Sequence, residues 1–110
     1  MSKVFIPQVR SRFDAATKLW IPTVNLRPAE KFGELVTLLP PNANQLHLAP
    51  LVTVMRERMG DVTDEDYILA LGDPSLIGAA SAIMVRKTGK LRMLKWDRET
   101  QDYLSVEVAV

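Results

Sequence analysis

A chain of 110 residues suits one domain with one small core, so residues 1–110 are expected to fold as a single domain. Its 47% hydrophobic and 25% charged residues exclude a disordered chain, and the lack of cysteine excludes disulfides, thiolate nucleophiles and zinc–sulfur sites. The net charge of +1 hides basic ends and an acidic middle, where Asp61, Asp64, Glu65, Asp66 and Asp73 lie close together, and a polyanion responds to such local fields rather than to the total.

"VFIPQV", residues 4–9, has the composition of a strand, and Pro7 argues for an edge or a bulge because it cannot donate to a ladder. "KLWIPTVNL", residues 18–26, is a second strand with Pro22 giving the same signal. The short polar "FDAAT" between them predicts a hairpin of the two. "RPAEKF" is a turn or a short helical turn, and "GELVTLLPP" is a third strand closed by Pro40 and Pro41. "NANQLHL" is expected to be loop. In "APLVTVMRERMGD" the apolar residues recur at helical spacing, Pro50 suits the first turn and Gly60 the stop. "DYILAL" is a short strand of the kind buried on both faces. "GDPSLIGAASAIMVRKTG" is a second helix, with Asp73 as N-cap, Pro74 at the first helical position and Gly89 ending it. The closing strands are "KLRMLKW" and "YLSVEVAV". The expected fold is α+β, a mixed sheet of about six strands with two helices in the order β-β-β-α-β-α-β-β. One crossover joins parallel strands between Asp66 and Trp96.

"FDAATKLWIPTV" and "WDRETQDYLSVEV" share a frame: aromatic, Asp, two residues, Thr, two residues, aromatic, aliphatic. Asp and Thr side chains bond turn backbone, and aromatics at either end pair across strands. Two hairpins on one plan are expected.

The chain offers little to a catalyst. His47 is the one histidine and lies in an apolar context without a partner. Asp64, Glu65 and Asp66 lack a calcium-loop pattern and are read as a solvated turn. "GDPS" is read as a helix cap, since Asp73 would repel an anion; no Gly-rich phosphate loop and no nucleophile elbow is present. The expectation is a non-enzyme with no cofactor and no metal.

Binding has more support. Single-strand binders combine cations that track phosphates with aromatic faces that stack bases. Alternation puts Lys90 and Arg92 on the same strand face as Trp96, and Lys95 on the other. Lys18 and Trp20 share a face in the echoing hairpin, Arg10 and Arg12 alternate just before Phe13, and Arg98 and Tyr103 flank the second turn. The candidate nucleic-acid-binding residues are therefore Arg10, Arg12, Lys18, Trp20, Lys90, Arg92, Lys95, Trp96, Arg98 and Tyr103. The same spacing fits core indoles with solubilising charges around them, and the sequence leaves both placements open. Met55, Met59 and Met84 are read as core fillers.

"DYILALGDPSLIGAA" and "LRMLKWDRETQDY", within a similarity over about residues 18–108, resemble the Drc family, small early single-stranded-DNA-binding RNA polymerase cofactors of podoviruses that carry a virion RNA polymerase. The resemblance implies a bacteriophage early protein that binds single-stranded DNA. It also implies assistance to a phage RNA polymerase at promoters and a homo-oligomer, a tetramer by that likeness. Many relatives carry Gly-Gly before the Lys90 strand, where this chain has Thr88-Gly89, and glycine after the turn Thr, where it has Lys18 and Gln101. The other function expected of such a protein is to bind and inhibit or redirect a host protein without touching nucleic acid. No apolar run reaches the ~18 residues that span a bilayer, and the first residues show no signal-peptide pattern. The host cytoplasm is the expected location, with no membrane contact.

Overall fold

Two short apolar runs form the centre of the molecule. In the computed structural model, which describes residues 2–43 and 46–110, β1 (Lys3–Gln8) and β5 (Tyr67–Leu69) lie side by side in a five-stranded sheet. The sheet order is β4-β1-β5-β6-β7, with β4 at Glu34–Leu39, β6 at Lys90–Asp97 and β7 at Asp102–Ala109. β1 is parallel to β4 and to β5, β5 is parallel to β6, and β7 returns antiparallel to β6. A separate two-stranded hairpin joins β2 (Ser11–Asp14) to β3 (Leu19–Pro22). With helices α1 (Leu48–Arg58) and α2 (Pro74–Thr88) and a 3-10 turn at Arg27–Phe32, the described residues form an α+β fold of seven strands and three helical segments.

Side-chain alternation divides the core between the two faces of the sheet. Phe5, Leu38 and Ile68 face α1 and α2, where Met55, Met59, Leu76, Ala80 and Met84 cover them. Val4, Ile6, Leu69 and Leu94 face the other way, under Ala29 of the 3-10 turn and Tyr103. The methionines are core fillers, as expected. Asp73 accepts from the Ser75 N–H at 3.0 Å and caps α2, and Gly89, at φ 80°, ends it.

Four expectations need correction, the first being the solvated acidic turn, since Asp66 is buried. β1 does not pair with the "KLWIP" strand; it is an internal strand, and Ser11–Asp14 is a further strand that the run "QVRSRFD" conceals. Pro7 is tolerated inside the sheet because the β1–β4 register skips it and the β1–β5 register ends at Phe5. Most main-sheet pairings are parallel rather than hairpins, because the segments leaving β1, β4 and β5 all cross over. The loop expected over 42–48 includes Asn44 and Gln45, which lie outside the described residues.

The strand order reverses between β1 and β5. β1 leads by the hairpin and the 3-10 turn to β4 on one side, and β5 leads by α2 to β6 on the other. In open sheets such a reversal leaves a crevice outside the carboxyl ends of the two strands, where connections diverge.

Candidate nucleic-acid interface

The carboxyl ends of β1, β5 and β6 share one pole of the molecule. At the reversal point a crevice of about 330 Å³ is lined by Gln8, Val9, Arg10, Ser11, Pro41, Gly72, Asp73 and Pro74. Gly72 sits at φ 113°, and a Cβ there would lie 3.1 Å from the Gln8 carbonyl oxygen, so glycine is what lets this loop approach β1. Just beyond it, Ala70 and Leu71 join Val24, Asn25, Trp96 and Tyr103 around a slot of about 280 Å³. All of its lining residues except Asn25 are apolar or aromatic; Asn25 is exposed, and its Oδ1 accepts from the Arg27 N–H at 3.1 Å.

Each hairpin next to this pole is built as the repeated frame requires. Asp14 accepts from the Ala16 N–H at 3.1 Å and the Thr17 hydroxyl at 2.9 Å. Asp97 accepts from the Glu99 N–H at 3.2 Å and the Thr100 hydroxyl at 2.8 Å. The Thr100 hydroxyl, followed by the turn N–H groups, holds the Asp97 carboxyl below the usual carboxylate range. Across the strands Phe13 meets Trp20 edge-on at 5.5 Å, and Trp96 meets Tyr103 edge-on at 5.0 Å. The turns close through Lys18 at φ 58° and Gln101 at φ 54°, the two positions where the resembled family carries glycine. A side chain in that region costs about 1–2 kcal/mol, partly offset because glycine loses about 0.5–1 kcal/mol more chain entropy on folding. Lys18→Gly and Gln101→Gly are each expected to stabilise the fold by about 0.5–1 kcal/mol, read as a higher midpoint in urea. An unchanged midpoint in both would show the turns to be unstrained.

The structure splits the ten candidate residues into two groups. Arg10, Arg12, Lys18, Trp20, Lys95, Trp96 and Arg98 are exposed and lie on the two hairpins or at the carboxyl pole. Both indoles are open to solvent, Trp20 at 42% and Trp96 at 44%. Tyr103 is only 8% exposed: it lines the slot and supports Trp96 rather than offering a ring face, and burial raises its hydroxyl pKa. Lys18 sits in the turn and not on a strand face shared with Trp20. The register puts Arg12 opposite Ile21 and Phe13 opposite Trp20, so Arg12 and Trp20 point to opposite sides of the hairpin.

Lys90 and Arg92 stand apart. They share the Trp96 face, but they lie at the start of β6, with Lys90 about 20 Å from Trp96 along the strand. Lys90 is ion-paired with Glu107 and holds that carboxyl below its ordinary range. The Arg92 guanidinium lies 4.1 Å from the Tyr67 ring centroid, donates to the Tyr67 hydroxyl at 2.5 Å and to the Asp64 carbonyl at 2.9 Å. Its two terminal nitrogens are engaged inside the fold, and its Nε is buried without a hydrogen-bond partner among the described residues. By contrast Arg10, Arg12, Lys18, Lys95 and Arg98 form no ion pair among the described residues.

The slot walls went unread in the sequence. Val24, Asn25, Ala70 and Leu71 come from two loops with no shared period, and the one signal was an apolar pair, Ala70-Leu71, running past the end of a strand into Gly72.

A family model described as phage Pam3 gp32-like protein matches residues 2–110. No curated protein and no solved structure matches the chain.

Proposed function

The chain belongs to the phage Pam3 gp32-like family, and from that premise we propose that this bacteriophage protein binds single-stranded DNA across the carboxyl pole of its sheet. The observation that carries the reading is that both hairpins hold a half-open indole together with exposed cations that have no acidic partner among the described residues. Phosphates gather at Arg10, Arg12, Lys18, Lys95 and Arg98. One base stacks on Trp96 at the mouth of the slot, and another stacks on Trp20. Assistance to a phage RNA polymerase in the host cytoplasm, which the resemblance to the Drc family implies, belongs to the same proposal. No helix among the described residues is long and apolar enough to cross a membrane.

The test is fluorescence anisotropy with matched single- and double-stranded oligonucleotides across a salt series. Single strands are expected to bind more tightly, with log affinity falling against log salt at a slope of about −0.7 per phosphate contact, or about −3.5 if all five cations engage. Affinity that does not change with salt would refute the phosphate contacts. A host protein retained after nuclease treatment, with no oligonucleotide shift, would favour the protein-binding alternative instead.

A homo-oligomer is also proposed, and β7 supports it. Among the described residues its outer edge has no strand partner, and Leu104 and Val108 on its helix-side face are 50% and 51% exposed. The opposite edge is guarded: Arg58 donates to the Leu38 carbonyl of β4 at 2.6 Å. Two β7 strands paired antiparallel about Val106 place Leu104 of each copy opposite Val108 of the other and Glu107 opposite Ser105, with no like charges facing. Val106→Lys is expected to sediment as a monomer where the unaltered chain sediments as a larger species. Identical sedimentation of the two would exclude this edge.

A further inference from the structure

The two helices carry a second surface that the nucleic-acid reading does not use. Each helix follows a parallel strand and runs back across the sheet, so the last turns of α1 and α2 lie at the amino pole, opposite the hairpins and the slot. Between the helices is a groove of about 580 Å³. Val52 of α1 and Ala79, Ala82 and Ile83 of α2 form its floor. The alanines keep that floor low, and Ile83 is its buried base. Three cations rise from the same walls: Arg56 on α1, and Arg86 and Lys87 on the last turn of α2.

These cations are available. None is in an ion pair among the described residues, and the one hydrogen bond they make is a long contact of 3.4 Å from Lys87 to the Gly60 carbonyl. Glu57 shares an adjoining hollow with Arg56 and Lys87 without pairing to either, and Asp61 is held by Lys3. A chain that only needed solubility here would interleave both signs over the groove. This one sets three positive side chains around four apolar ones.

We propose that the α1–α2 groove docks a short amphipathic segment of a partner protein. Its apolar side chains fill the floor over Val52, Ala79, Ala82 and Ile83, and its Asp and Glu side chains meet Arg56, Arg86 and Lys87. Charge complementarity selects an acidic segment. The apolar floor selects a protein over a nucleic acid, because a phosphate backbone has no alkyl surface to bury there, whereas helix-in-groove recognition depends on it. The position at the amino pole leaves the hairpins free while the groove is filled.

The probe is a synthetic, fluorescein-labelled helical peptide with leucine on one face and glutamate on the other, titrated against the full chain by anisotropy. A version with lysine for glutamate, a version with serine for leucine, and an oligothymidylate are titrated alongside. Saturable binding is expected for the leucine–glutamate peptide alone among the three peptides. Arg56→Glu with Arg86→Glu should weaken it at least tenfold and admit the lysine version. Ala82→Phe should also weaken it by raising the floor. Arg56, Ala82 and Arg86 are exposed, so these variants keep the fold, which circular dichroism verifies, and the charge reversal stands alone if Ala82→Phe does not fold. Equal binding of the glutamate and lysine peptides, or no saturable binding of either, overturns the proposal. So does an oligothymidylate affinity that falls in the charge-reversed chain while the peptide is indifferent, since the groove then serves nucleic acid.

Discussion

Trp96→Ala is expected to weaken single-stranded oligonucleotide binding by roughly fivefold to 150-fold, the range that corresponds to about 1–3 kcal/mol for one stacked base. The indole lines the slot with Val24, Asn25, Ala70 and Leu71, and Tyr103 meets its ring edge-on at 5.0 Å. Removing it takes away the flat face and also the rigidity of that face. Folding should suffer little, because a ring 44% exposed contributes its edge contact with Tyr103, about 0.5–1.5 kcal/mol, and limited further burial. Ala70→Phe offers an independent check, since it narrows the slot while leaving both indoles in place. It should lower affinity and reduce the quenching of Trp96 by bound bases, read in a Trp20→Phe background so that one indole reports. An affinity unchanged by both Trp96→Ala and Ala70→Phe would remove the slot from the DNA path even if the salt dependence held. Loss of the folded state in Trp96→Ala would mark the indole as a core residue.

How far the sequence reached can be traced through particular residues. The two Asp–Thr turns were legible because their hydrogen bonds are local: each Asp meets its partners within three residues. The α2 caps were legible for the same reason. Alternation correctly gave Lys90, Arg92 and Trp96 one face, but alternation says nothing about neighbouring strands. Tyr67 and Glu107, which occupy Arg92 and Lys90, are distant in sequence, and only sheet order brings them there. The same blindness hid the carboxyl pole, which exists because β1 and β5 are neighbours whose connections diverge. β1 itself resembles a hairpin arm in sequence because Pro7 is normally an edge residue and the next strand lies close by. A gap in the register at one residue, a tertiary detail, lets it lie inside the sheet. On origin, the resemblance pointed to a bacteriophage, and the matched family is a phage family of a different description from the Drc family.

The sequence suggests that Asp66 belongs to a solvated acidic turn, but its burial makes it the site of the largest expected loss of stability among polar substitutions. Its side chain is buried, with the residue 2% exposed, and each oxygen serves a different backbone segment. Oδ1 accepts from the Lys3 N–H at 2.8 Å at the start of β1, and Oδ2 accepts from the Thr63 N–H at 2.9 Å in the loop before β5. One carboxylate thus joins the first residue of the central strand to the loop that delivers its neighbour. Hydrogen bonds to a charged group contribute about 1.5–3 kcal/mol each, and deleting the acceptor leaves two N–H groups without a partner in a space that water enters poorly. Asp66→Ala is therefore expected to cost about 3–4 kcal/mol, visible as a lower urea midpoint with an unchanged slope. Asp66→Asn keeps the shape and one acceptor oxygen, so it should recover about half of that loss, because one N–H regains a neutral acceptor while the other faces an NH2 group. A cost below about 1 kcal/mol for the alanine variant would mean that the two strands are aligned by their apolar contacts alone. The slot depends on that alignment, since Ala70 and Leu71 leave β5 directly from it. Asp66→Ala should therefore weaken oligonucleotide binding only when measured near its lowered unfolding midpoint, and Trp96→Ala should weaken it under all folding conditions.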